Sequence, residues 1–211
     1  MSFQDIITNQ QKLVQVMTGK MIEEALEDDN HRYLLHYLFQ GPLTVEELKI
    51  AFKQSGNEKS DKTIYRYLNK LKKAGLVIEA GKRIYTDKDN QIKTQTLFAR
   101  IAKVIFTPFN KADRDPNLKK KSLKITSLIL KEKLGQKGNA DLNCLQNKID
   151  NLVYSKQELI ASYFQDTDNS EIISLIQTMD IAELFPILDI ASWILLLIEK
   201  PEIINQILDC F

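Results

Sequence analysis

Lys62, Arg66, Asn69 and Lys73 recur every three to four residues within the run from Ser60 to Val77, which sets them on one side of a helix. Lysine and arginine side chains meet phosphate oxygens, and the guanidinium fork of Arg66 can pair with the two acceptors on a guanine edge. Thr63, Tyr67 and Lys70 flank that row. Tyr67 and Thr63 can donate to phosphates or touch a thymine methyl, and Tyr65 and Tyr67 serve equally well as rim packing. Ser60 reads as the N-cap, which leaves the first helical N–H groups near a bound anion. Lys82 and Arg83 follow on a β-prone run suited to the minor groove or to flanking phosphates. The candidate surface for double-stranded DNA is therefore Ser60, Lys62, Thr63, Arg66, Tyr67, Asn69, Lys70, Lys73, Lys82 and Arg83. In this set Arg66 is the base reader, whereas Lys62, Lys70 and Lys73 hold phosphates. An ordinary solvated helix face has the same composition; what favours contact is the position of this face in the second helix of a tri-helical unit.

The elements that must position these groups are legible in the same stretch. Ile64, Leu68, Leu71 and Gly75 share the face opposite the basic row, so the recognition candidate spans about 61–74, with Gly75 suited to a left-handed C-cap. Thr44-Val-Glu-Glu47 is a capping box that opens a helix from Val45 to about Gln54. Asn30 to Phe39 forms a preceding helix, ended by Gly41-Pro42. Leu76–Glu79 and Arg83–Thr86 read as two strands of a hairpin, a wing at about 76–87, turning at Ala80-Gly81-Lys82. Thr96 to Phe106 reads as a return to helix.

Outside this core, the apolar spacing of Phe3, Ile6, Ile7, Leu13, Val14 and Met17 predicts an N-terminal amphipathic helix over 1–27 for dimerisation or packing. The winged unit spans 28–106. Pro108 and Asp113-Arg-Asp-Pro116 mark a linker at 107–117. An all-helical region at 118–211 then carries dimerisation or an effector site, with helices at Leu118–Leu134, Leu142 to about Phe164, and Ser170–Met179. Asp180-Ile-Ala-Glu183 reads as another capping box, and Pro186 and Pro201 as new starts. The fold class is thus mainly α: a winged helix-turn-helix with an N-terminal helix and a C-terminal helical region.

A formal net charge of +1 conceals a strong asymmetry. Between Lys59 and Arg83 stand eight cations and two carboxylates, whereas from Glu158 to Phe211 ten carboxylates face one lysine. The first segment can approach phosphates and the second cannot. A second basic cluster, Lys111, Arg114, Lys119, Lys120, Lys121 and Lys124, extends a phosphate footprint or is a solvated linker. The run from Ile181 to Ile198 is interrupted by Glu183, Pro186 and Asp189, so it reads as buried helix rather than a membrane span. Its apolar density points to a dimer interface or, second, a ligand pocket. Cys144 and Cys210 read as reduced core residues of a cytoplasmic protein. His31 and His36 stand five apart, off the i, i+4 spacing that places two imidazoles on one metal. No Gly-rich phosphate loop or nucleophile–base pattern marks an enzyme, and no cofactor or metal is expected.

The segments Arg32-Tyr-Leu-Leu35, Gly41-Pro-Leu-Thr-Val-Glu-Glu-Leu48 and Lys62-Thr-Ile-Tyr-Arg-Tyr-Leu-Asn-Lys-Leu-Lys-Lys-Ala-Gly75-Leu-Val77 together resemble the ArsR-like winged-helix repressors. The likeness covers about 20–106 and is strongest to archaeal members, through Leu97-Phe-Ala-Arg-Ile-Ala-Lys-Val104. It implies a homodimeric, sequence-specific transcription regulator, with Lys62, Thr63, Arg66 and Tyr67 groove-facing and Lys82 and Arg83 on the wing. The turn before Ser60 is longer than the family's. The metal-sensing cysteine pair and the carboxylate/His site are missing, so the resemblance does not extend to metal sensing. The expected partners are double-stranded DNA, a second copy and an unidentified small-molecule or protein effector. The competing reading is a winged-helix protein–protein module without DNA binding.

Overall fold

The computed structural model describes residues 3–87, 89–107, 115–135 and 138–211, without the side chain of residue 204. In chain order the elements are β1 (Phe3–Ile7), β2 (Lys12–Val16), α1 (Lys20–Glu27), α2 (Asp29–Tyr37), α3 (Val45–Gln54), α4 (Asp61–Lys73), β3 (Val77–Thr86), β4 (Ile92–Arg100), β5 (Ala102–Phe106), α5 (Pro116–Lys133), α6 (Leu142–Asp166), α7 (Ser170–Thr178), α8 (Ile181–Glu199) and α9 (Ile203–Leu208). Helix dominates, with two small sheets. The chain divides into two compact units: residues 1–105 with 171–181, and residues 106–170 with 182–211.

The first unit is built around α2, α3 and α4. Leu34, Leu48, Phe52, Ile64, Leu68 and Leu71 are all buried in one cluster at its centre. Each helix begins where a side chain satisfies free N–H groups. Asp28 accepts from Asn30 N at 2.9 Å at the head of α2. At α3 the capping box is complete: Thr44 N donates to Glu47 at 2.8 Å, and Glu47 N donates back to the Thr44 hydroxyl at 3.3 Å. Ser60 opens α4 by accepting from Thr63 N. Gly75, at φ 73°, closes α4, and Leu76 N reaches back to Leu71 O at 2.9 Å, the 6→1 bond of a Schellman end. The long turn between α3 and α4 is held by Asn57, whose N–H bonds Phe52 O and whose amide bonds the Asn30 side chain, both at 2.9 Å.

Three sequence expectations are corrected here. The N-terminal helix over 1–27 is instead two strands and the short α1. β1 pairs antiparallel with β3, from Phe3 opposite Tyr85 to Ile7 opposite Gly81, giving the sheet order β1-β3-β4. Second, the hairpin does not turn at Ala80-Gly81-Lys82. β3 runs straight through those residues as far as Thr86 and pairs with β4, with a register irregularity between Glu79 and Gly81. Ala80 O there accepts from both Thr8 and Asn9 N–H groups, and a Cβ on Gly81 would lie 1.9 Å from Ile6 O. The glycine is needed because β1 crosses directly over it. Third, Thr96–Phe106 is strand: the end of β4, then β5, which pairs with β2. Leu43 joins the hairpin through paired bonds to Phe98.

In the second unit α5 and α9 pack against α6, and Leu152, Leu196 and Ile203 form a buried cluster. The linker residues 108–114, with Pro108, Lys111 and Arg114, lie outside the described residues. Cys144 and Cys210 are corrected from free thiols to a disulfide that closes a separation of 66 residues. α8 passes through Pro186 without a new start. Nor is it a buried helix: Leu184, Leu188, Ser192 and Leu196 are inside, but Ile187, Ile190, Ile194, Leu197 and Ile198 are open to solvent. By length and composition alone it is apolar enough to cross a membrane.

Candidate nucleic-acid interface

α4 supplies the site. Its inner face (Ile64, Tyr67, Leu68, Leu71) is buried against the other helices, so the outer face is fixed by geometry. Lys62, Arg66, Asn69, Lys70 and Lys73 are all exposed there, and Ser60 and the half-exposed Thr63 stand at its N-terminal end. Thirteen residues at ~1.5 Å rise make a ridge ~20 Å long. Among the described residues, none of Lys62, Arg66, Lys70 and Lys73 is in an ion pair with a carboxylate.

Two neighbouring acids are paired with cations outside that row. Asp61, in the first turn of α4, is bonded by Lys49 of α3 at 2.7 Å, and that bond holds its carboxyl below the usual range. Glu79 is taken by Lys72, which likewise lowers its pKa. The ridge therefore presents positive charge with its carboxylates engaged beside it, an arrangement that favours a polyanion.

Tyr67 is not part of this face. It is 7% exposed and stands edge-on to His31 at 5.2 Å, with Phe52 at 6.4 Å. Arg66 lies over its ring, 5.5 Å from the centroid, so Tyr67 supports the arginine from within. The exposed aromatic is Tyr65, 49% open. The missed signal was spacing: Lys62, Tyr65 and Asn69 follow at three and four residues, whereas Tyr67 falls three after Ile64 and four before Leu71.

The hairpin cations separate as well. Lys82 is exposed and donates to the Thr96 hydroxyl at 2.8 Å. Arg83 is corrected from a free phosphate contact to a clasp. Its Nε and Nη2 bond Asp5 at 2.7 and 2.8 Å, its Nη1 bonds Glu47, and its guanidinium stacks on Phe3 at 4.1 Å. The Arg83 hydrogen bonds hold Asp5 below the carboxylate range. Burial pushes Glu47 upward, but bonds from Thr44 and Arg83 outweigh it and its pKa is also lowered. The two carboxylates raise the pKa of Arg83 in turn, the Asp5 bonds foremost. At the hairpin end Lys93 is paired with Asp87; residue 88 lies outside the described residues.

Arg100 and Lys103 lie inside the molecule rather than on the ridge. Both stack on Phe39, at 5.4 and 4.9 Å, and burial lowers both, Arg100 to about 10. His31 is a core residue whose Nδ1 meets Ala25 O at 2.7 Å.

Residues 28–79 match the family model described as bacterial regulatory protein, arsR family. The matched segment contains α2, α3, α4 and the first residues of β3. The match supports an ArsR-like helix-turn-helix in this segment and, with it, a DNA-binding transcriptional regulator. No curated protein matches the chain.

Proposed function

We propose that the protein is a sequence-specific regulator of transcription that binds double-stranded DNA as a homodimer. α4 lies in the major groove and the β3–β4 hairpin serves as the wing on the flanking backbone or minor groove. The observation that carries this reading is the exposed row Lys62, Arg66, Asn69, Lys70 and Lys73, its cations outside any ion pair among the described residues, on the second helix of an ArsR-like helix-turn-helix. Arg66 is the base reader, because its rigid planar fork is already shaped to pair two acceptors at once. Lys62, Lys70 and Lys73 hold phosphates, with Ser60 and Thr63 offering the helix N-terminus to another. Tyr65 replaces Tyr67 as the exposed aromatic of α4, and Lys82 replaces Arg83 as a wing cation outside any ion pair among the described residues.

A two-fold dimer sets its recognition helices in successive major grooves about one turn apart, so the operator is roughly palindromic. The test is selection of bound sites from random duplex, followed by titration of the selected site at several salt concentrations. With about six or more phosphates contacted per dimer, log K falls against log salt with a slope near −5 or steeper. Lack of binding to either selected or random duplex at micromolar protein and low salt refutes the reading and favours a protein–protein module.

A further inference from the structure

α8 has two apolar faces, and the chain uses one. Leu184, Leu188, Ser192 and Leu196, spaced four apart, are buried. On the opposite side stand Ile187 (51% exposed), Ile190 (61%), Ile194 (53%) and Leu197 (51%), spaced three, four and three, with Ile198 and Trp193 on its margins. That alternation is the a/d seam of helix-to-helix packing. No charged residue interrupts it between Asp189 and Glu199. These six side chains leave on the order of 600 Å² of apolar surface open, the upper end for the largest patch of a monomer. It is most of the ~800 Å² that each partner buries in a standard stable interface.

We infer that this seam is the dimerisation surface, occupied by α8 of a second copy of the chain across a two-fold axis. The inference deepens the dimeric part of the proposed function by naming its interface. A self-complementary, uncharged stripe suits an isologous contact, in which one patch serves both partners. A bilayer is a poorer occupant. The seam from Ile187 to Ile198 is ~18 Å long, short of the ~30 Å hydrocarbon core. Insertion would also strip the opposite face from Leu152 and Ile203, and would drag the Lys156–Asp189 ion pair into lipid.

Sedimentation equilibrium of the full chain tests the inference, beside an Ile190→Glu/Ile194→Glu variant whose fold is checked by circular dichroism. The wild type is expected to be a dimer at micromolar concentration. The variant, two charges at the seam centre, is expected to raise the dissociation constant by ~100-fold or more. Trp193, the single tryptophan of the chain, gives a readout free of mutation. Its emission should shift to the red on dilution over the range in which the mass falls from two chains to one. A monomeric wild type, a folded variant that stays dimeric, or monomeric wild type floating with phosphatidylcholine vesicles overturns the inference. DNA binding is read separately on a single half-site, where the folded variant should match the wild type. Failure of both proteins there refutes the reading of α4, not of α8.

Discussion

Arg66 and Tyr67 are adjacent in sequence and opposite in role, so exchanging each for alanine separates recognition from stability. Tyr67 is 93% removed from solvent, edge-on to His31 and beside Phe52. Truncating a buried aromatic side chain costs roughly 3–5 kcal/mol, the transfer loss plus the cavity left behind. Applied to a unit of this size, that lowers the melting midpoint by on the order of 10 °C or more. Arg66 is exposed and outside any ion pair among the described residues, so Arg66→Ala should leave the midpoint within the ~0.5 kcal/mol typical of surface changes. On the selected operator it should cost ~1–3 kcal/mol of binding, about 5- to 150-fold, with a much smaller loss on random duplex. Thermal melts followed by circular dichroism, and anisotropy titrations on both duplexes, supply the four numbers. A Tyr67→Ala protein that melts with the wild type would mean that α4 is rotated from the face described. Equal losses by Arg66→Ala on operator and random duplex would reduce Arg66 to a phosphate contact.

The Arg83 clasp makes the hairpin acid-sensitive. Asp5 and Glu47 have folded pKa values below their unfolded ones near ~4, so their stabilisation is present above that pH and drains as pH falls through the lower folded values. Arg83→Gln should remove ~1–2 kcal/mol at neutral pH, discounted for partial exposure, and flatten the decline of the melting midpoint between pH 5 and 3, roughly the span of those values; parallel pH curves would dismiss the clasp. Gly81→Ala should expel β1 from β3, because the new methyl overlaps Ile6 O, and should raise amide exchange along residues 3–7 while α4 stays protected. Unchanged exchange there would count against the close approach. Cys210→Ser opens a loop of 66 residues, for which chain entropy gives roughly 4 kcal/mol. A denaturant midpoint indifferent to that substitution and to reducing agent would show that the bridge contributes nothing.

What the sequence disclosed was local. The Thr44–Glu47 capping box, the Ser60 cap, the Gly75 terminus and the 3.6-residue alternation of α4 involve partners within a few positions, and all four stand in the structure as the residues suggested. What it concealed depends on distant partners. Phe3, Ile6 and Ile7 have helical spacing, yet β1 is fixed by β3 more than seventy residues away. Leu97, Phe98, Ala99 and Arg100 are buried in succession, so β4 lacks the alternation that would have identified it as strand. Cys144 and Cys210 carry no spacing motif, and only the fold of the second unit brings them together. In α8 the apolar run was visible, but composition cannot tell a face packed within the chain from one left open.

The same distinction governs the electrostatics of the candidate interface. Counted along the chain, residues 59–83 hold eight cations against two carboxylates. Folding sorts them. Lys72 is spent on Glu79 and Arg83 on Asp5 and Glu47, while Lys49, from outside the segment, neutralises Asp61. Each of these pairs either removes a cation that the sequence offered to DNA or silences an acid that would have repelled it. The pairs with Asp61 and Glu79 are exposed and add little to stability. Their larger effect is on the field: among the described residues Lys62, Arg66, Lys70 and Lys73 are left outside any ion pair, the form in which charge attracts a phosphate backbone. Lys49→Ala should therefore uncover Asp61 at the head of α4 and weaken DNA binding in an anisotropy titration although Lys49 itself lies on α3, off the α4 ridge; unchanged affinity would dismiss the field argument.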